Sequence, residues 1–264
     1  MVMKTMIITG GSSGIGRAAT ALFAAQGWRV YELSRTGQDD VRQGIRHITC
    51  DVTDPAQCRA AVTQVVTAEG RLDLLISNAG MGISGPVEFT DIDEARRQMD
   101  VNFFGTLNIT QAVLPVLRRQ HGGRIILVSS VAAVFSIPYQ AFYSASKAAI
   151  NALGLALRNE MREHGVDVCV LLPGDVKTGF TASRSKETRG LVEYPVMRRA
   201  VEVMEHDEQH GMTPDKIARR LLDIANSRRT WAFNVSGLPY RLLCLVGKLV
   251  PTTFSNWVVG KIYR

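Results

Sequence analysis

Thr5-Met6-Ile7-Ile8-Thr9-Gly10-Gly11-Ser12-Ser13-Gly14-Ile15-Gly16 decides how the rest of the chain is read. Thr5 to Thr9 is short, apolar and β-branched, the pattern of a buried strand. The glycine-rich run turns tightly, and a helical pattern follows through Gln26. A strand, a glycine turn and a helix N-terminus form a place where unpaired backbone N–H groups and the helix dipole favour a phosphate. The spacing is Thr-Gly-x-x-x-Gly-x-Gly, not the commoner Gly-x-Gly-x-x-Gly.

Working outward, five more strands are expected at Arg29–Leu33, His47–Cys50, Leu72–Ser77, Arg124–Ser129 and Val166–Leu172, and a seventh at Thr230–Val235. Between them lie helical patterns at Pro55–Glu69, roughly Asp93–Arg118, and Tyr143–His164, and Thr213-Pro214-Asp215 caps a helix to Asn226. Regular alternation of strand and helix predicts an α/β fold with a doubly wound, seven-stranded, mostly parallel sheet and helices on both faces. No repeat, low-complexity tract or linker interrupts it. One Rossmann-like domain over 1–237 is expected, with a substrate lid at about 179–212, followed by an extension over 238–264.

Composition narrows the class. Hydrophobic residues make up 46% of 264, too many for a disordered chain. The net charge of +7 is uneven: from Ile224 to Arg264 there are six basic residues and no acid. Cys50, Cys58, Cys169 and Cys244 have no paired spacing and read as free thiols of a reducing compartment. Met1 to Ile8 does not read as a signal peptide, and no window approaches a membrane span. A cytoplasmic protein is the expectation.

The chemistry-bearing pattern is Tyr143-x-x-x-Lys147. Residues four apart share a helix face. An ammonium beside a phenol favours the phenolate and lowers its pKa, which makes the pair a tuned general acid/base. Ser130 stands just past an apolar strand whose end can direct its hydroxyl to the same point. At the end of the second strand, Ser34-Arg35 offers no acid for ribose hydroxyls, whereas an arginine suits a 2′-phosphate. NADP(H) is therefore favoured over NAD(H), with Glu32 two residues too early and turned inward or sideways.

Taken together, Thr9-Gly10-Gly11-Ser12-Ser13-Gly14-Ile15-Gly16, Asp51, Asn78-Ala79-Gly80, Asn102, Ser130, Tyr143-x-x-x-Lys147 and Pro173-Gly174 resemble the short-chain dehydrogenase/reductase family over roughly residues 5 to 180. The resemblance implies roles. Tyr143 exchanges a proton with the substrate oxygen, Lys147 lowers its pKa and holds the nicotinamide ribose, and Ser130 orients the carbonyl. Asn102 bends its helix and holds a water leading from Lys147. Gly10, Ser12, Ser13, Gly14, Ile15 and Gly16 surround the cofactor phosphates. Asp51 meets the adenine amino group with the Val52 backbone beside it, and Asn78 stabilises the sheet and the adenosine ribose. Thr178 binds the nicotinamide carboxamide or the phosphates with the Val176 backbone assisting, and Ala79, Gly80, Pro173 and Gly174 complete the cofactor site. The helices containing Asn102 and Tyr143 imply a homodimer or homotetramer.

The lid mixes Phe180, Leu191, Tyr194, Met197 and Met204 with many charges, which suits a bulky apolar carbonyl or alcohol and equally suits closing a core. His206 and His210 share a helix face but lack the Glu of a zinc motif, so no metal is expected. The segment after Gly237 reads as basic and amphipathic: a peripheral membrane anchor, a cleft wall or a subunit contact. A non-catalytic NADP(H)-binding sensor or scaffold is the rival from another class. Nucleic-acid binding lacks any module or aromatic platform.

Overall fold

The structure, a computed structural model, describes residues 3–40, 43–187 and 189–263. Met1 of the N-terminal stretch, Thr188 of the lid and Arg264 of the basic tail lie outside the described residues. In chain order, β1 (Thr5–Thr9), α1 (Gly14–Ala25), β2 (Arg29–Ser34), β3 (Ile45–Thr49), α2 (Pro55–Glu69) and β4 (Leu74–Ser77) form the first half. There follow β5 (Ile83–Ser84), α3 (Ile92–Met99), a π-helical turn (Asp100–Phe104), α4 (Gly105–Gln120), β6 (Arg124–Val128), α5 (Ala141–Glu160) and β7 (Asp167–Pro173). The last third holds α6 (Phe180–Ser183), β8 (Ser185–Lys186), α7 (Met197–Gln209), α8 (Pro214–Asn226), β9 (Phe233–Ser236), α9 (Leu238–Leu249) and α10 (Thr252–Ile262).

Seven strands lie in the order β3-β2-β1-β4-β6-β7-β9, and every adjoining pair is parallel. Strands buried on both faces explain the near-continuous apolar runs. Alternate residues feed two cores: Ile7, Leu75, Ile125 and Val170 face α2, α4 and α5, while Met6, Ile8, Ile126 and Leu171 face α1 and α8. Phe23 of α1 and Leu221 of α8 are fully buried on that second face.

Three expectations are corrected. The third strand is Ile45–Thr49, so His47 lies inside it and Cys50 beyond it. The seventh strand is Phe233–Ser236; Thr230 instead donates its hydroxyl to the Asp167 carboxylate at 2.9 Å, leaving the ladder to start later. Thr213 precedes α8, but its side chain makes no capping bond; Pro214 at the first turn sets the helix start.

The long helix expected around Asn102 is continuous but carries the π-helical turn at Asp100–Phe104. Such turns insert one extra residue per helical turn and re-aim a side chain. Among the described residues, no helix is long and apolar enough to cross a membrane.

Candidate active site

The strand order reverses between β1 and β4, and open α/β sheets bind ligands at the carboxyl ends of strands beside such a reversal. A cleft of about 420 Å³ lies there. It brings together Gly10, Ser13, Gly14, Ile15, Asn78, Ala79, Gly80, Ser130, Tyr143, Lys147, Pro173, Gly174, Val176 and Thr178. Ser12, Gly16, Ser34, Arg35, Asp51, Val52 and Asn102 are not on its lining.

The glycine loop is shaped by contacts that exclude side chains. Gly10 has φ +66° and Gly14 φ +51°, a region that favours glycine. A Cβ on Gly16 would sit 2.0 Å from the Gly10 carbonyl oxygen, so Gly16 lies beneath the loop and lets it fold onto α1. Asn78 fastens the loop from the other side: its Nδ2 donates to the carbonyls of Thr9 and Gly10 at 3.1 and 3.2 Å. Ser13 stands at the N-cap of α1 in extended backbone, and its side chain makes no capping bond. The first-turn N–H groups are thus left for a ligand. A positive helix end with backbone exposed by glycine fits the phosphates of a dinucleotide.

Beyond the loop, Arg35 is exposed and Ser34 half-buried. Glu32 is buried, tucked below Gly11, and its Oε2 meets His47 Nδ1 at 2.5 Å. Asp51 spends one carboxylate oxygen on its own turn, accepting from the Thr53 N–H at 3.0 Å and hydroxyl at 2.8 Å. Val52 packs against Gly105. Thr178 accepts the Phe180 N–H at 3.1 Å, opening α6, while its methyl lies 3.4 Å from where a Gly14 Cβ would stand.

Tyr143 and Lys147 share a face of α5, with the ammonium 5.8 Å from the phenol ring centroid. Lys147 Nζ donates to the Val128 carbonyl at 3.0 Å. Burial in the absence of a carboxylate partner drops the Lys147 pKa to about 8. Burial pushes the Tyr143 phenol up to about 12, and its hydrogen bond with Ser130 offsets part of that rise. In the protein alone, desolvation is the largest influence on the phenol. Ser130 also accepts the Ala132 N–H at 3.1 Å, which fixes its rotamer.

Asn102 is fully buried. Its Oδ1 accepts the Met81 N–H at 2.8 Å, and its Nδ2 donates to the Met81 carbonyl and to Ser146 Oγ, both at 3.0 Å. It ties the loop after β4 to α5. Gly80 stands between Asn102 and Lys147, its missing Cβ 3.3 Å from Oδ1 and 3.6 Å from Nζ.

The far end of the cleft holds Met204, expected in the lid, and residues that the sequence did not mark: Ile137, Gln140, Asp175, Glu208 and Tyr263. Glu208 accepts from Arg184 and, at 2.5 Å, from the Thr181 hydroxyl. Tyr240 of α9 lies flat against Gly174 and donates its hydroxyl to Asp175 Oδ2 at 2.5 Å. Gly247 of the same helix rides on the Phe135 ring. The extension after Gly237 thus covers the cleft, while its outer face stays open: Leu249 is 79% and Trp257 58% exposed. His206 and His210 stack at 4.2 Å on exposed turns of α7.

Comparison with known proteins agrees with this geometry. The family model described as short chain dehydrogenase matches residues 4–189. A 3-ketodihydrosphingosine reductase of Bacteroides thetaiotaomicron is 39% identical over 97% of this chain and 92% of its own length. A dehydrogenase/reductase SDR family member 7B of Xenopus tropicalis is 31% identical over 97% of this chain and 84% of its own. Among solved structures, a short-chain dehydrogenase from Streptomyces avermitilis superposes with a TM-score of 0.84 at 26% identity, covering 94% of this chain and 93% of that one. A glycine loop, a Tyr/Lys helix face and a match across most of the chain lead to one conclusion: the protein belongs to the short-chain dehydrogenase/reductase family of oxidoreductases.

Proposed function

We propose that the protein is an NADPH-dependent reductase of long-chain, lipid-like ketones. The observation that carries this reading is the cleft itself: Ser130, Tyr143 and Lys147 at one point, with the apolar Ile137, Phe180 and Met204 extending from it. The relative named for 3-ketodihydrosphingosine, a ketone with a long alkyl chain, supports that substrate class. The glycine loop and the N-terminus of α1 would hold the dinucleotide phosphates, Asn78 and Lys147 its riboses, and Val176 and Thr178 the nicotinamide side. When bound, the nicotinamide supplies hydride chemistry.

The chain's own residues then act on the carbonyl oxygen. Ser130 donates a hydrogen bond that orients it, and Tyr143 gives it a proton. Burial raises the pKa of the phenol, so in the protein alone it carries the proton that it gives to the carbonyl oxygen. Lys147, whose ammonium lies 5.8 Å from the phenol ring, stabilises the phenolate that the transfer leaves. Arg35 would meet the 2′-phosphate, a choice supported by Glu32 being turned below the loop and engaged with His47.

A panel of ketones assayed with NADPH and NADH in parallel tests the reading. The long-chain ketone should be reduced faster than steroid or retinal, NADPH should be preferred, and Arg35→Ala should narrow that preference selectively. Equal loss for both cofactors would reject the role of Arg35. Turnover by neither cofactor would favour a non-catalytic binding protein.

The exposed apolar face of α9 and α10, with Arg241, Lys248 and Lys261 beside it, is read as a contact with anionic membrane, where such substrates reside. Full-length protein should sediment with vesicles containing anionic lipid, and Leu249→Glu/Trp257→Glu should stay in the supernatant. Equal partitioning of the two would exclude the membrane contact.

A further inference from the structure

Asp175, immediately after Gly174, lines the same cleft as Tyr143. Its charge reaches the phenol and helps raise the Tyr143 pKa. The partner that holds it, the Tyr240 hydroxyl at 2.5 Å, is neutral and cancels no charge. The charges that bear on it most strongly, Glu208 and Asp207, are themselves negative. Glu208 is answered by Arg184, whose side chain is 1% exposed. Among the described residues, no ion pair holds the Asp175 carboxylate at this end of the cleft. Burial raises its pKa, the mark of an ion held away from water without a counter-charge. A cation bound beside it would offset that cost, because a nearby opposite charge favours the ionised form of a carboxylate.

Tyr240 sets the carboxylate's direction. Its ring covers Gly174, with a Cβ there falling 2.3 Å from ring carbons, and it also packs at Gly237. The covalent neighbours of Asp175 are fixed as well: its N-terminal neighbour follows β7, and its carbonyl accepts the Met212 N–H at 2.8 Å.

We propose that Asp175, oriented by Tyr240, recognises a protonated amine next to the carbonyl, so that the substrate is a long-chain amino ketone rather than a plain ketone. This rests on the reading of the cleft as a long-chain ketone reductase and adds a specificity determinant to it.

The test compares NADPH consumption with 3-ketodihydrosphingosine and with its analogue lacking the amine. Wild type should favour the amino ketone in kcat/KM by at least about tenfold, since a site built for a polar group discriminates against its absence. In Asp175→Asn, which keeps an acceptor for Tyr240, that ratio should collapse to within about threefold, chiefly through KM. Tyr240→Phe, which keeps the carboxylate and loses its orienting bond, should give a preference between those of wild type and Asp175→Asn. A wild type without preference, or an Asp175→Asn enzyme that keeps it, overturns the role of Asp175 and leaves the ketone reductase reading standing. A Tyr240→Phe enzyme with the full wild-type preference overturns the part of the proposal in which Tyr240 orients the carboxylate. Turnover of neither ketone by wild type removes the reductase reading, and the inference falls with it.

Discussion

Tyr143→Phe is expected to lower kcat for ketone reduction by roughly 10³-fold, within the range that general acid catalysis contributes. The substitution removes one oxygen and keeps the ring, so the packing on Phe180, with centroids 5.7 Å apart, survives. It also removes a buried hydroxyl whose titration is already displaced by desolvation, so folding has little reason to suffer. NADPH binding, read by fluorescence, and the thermal midpoint should both stay near wild type. Lost activity with intact binding separates a proton donor from a wall residue. Turnover within a few-fold of wild type would contradict the assignment.

Gly16→Ala carries the second large effect, and its sign is diagnostic. Inside an exposed helix this change normally stabilises by up to about 1 kcal/mol. Here the new methyl would meet the Gly10 carbonyl oxygen at 2.0 Å and Asn78 Nδ2 at 2.8 Å. Neither is the free end of a flexible chain: one is backbone, and the other is bonded to Thr9 and Gly10. The loop must lift, at a cost of about 1–3 kcal/mol for overpacking. Dinucleotide affinity should fall together with stability, because the same backbone forms the phosphate cradle. Gly260→Ala in α10, where nothing lies within 4 Å and the residue is away from the cleft, is the control and should be tolerated. Urea melts and NADPH titrations of both variants decide it; a Gly16→Ala protein as stable and as tightly binding as wild type would refute the cradle.

Much of this was legible in the sequence because the informative residues are close together along the chain. The glycine loop, Asn78–Gly80 and the Tyr143/Lys147 pair are each set by local geometry: a positive φ, a strand end, a helix face. Local spacing carries no trace of the π-helical turn; only the family resemblance, which implies that Asn102 bends its helix, pointed to that place. Asp175 lay inside the Pro-Gly-Asp-Val run, but its environment is made by Tyr240, 65 residues later. Tyr263 enters the cleft only by the path of α9 and α10. The expected effect of Lys147 on Tyr143 also required burial to be known. Proximity of a cation lowers a phenol's pKa, desolvation raises it, and the sequence displays only the first.

In the extension, three readings were open from composition: anchor, cleft wall or subunit contact. Tyr240 and Gly247 place its inner side on the cleft wall. Its outer side, with Leu242, Leu245, Leu249 and Trp257 exposed, is the surface assigned to membrane.

The most direct measurement is the stoichiometry of a single reaction: purified protein, NADPH and 3-ketodihydrosphingosine, with cofactor consumption followed by absorbance and the lipid product by mass spectrometry. One alcohol formed per NADPH consumed, dependent on the ketone and lost in Tyr143→Phe, is the predicted result. No ketone-dependent consumption of NADPH or NADH, or product formed equally by the Phe variant, would contradict a reductase built around that phenol.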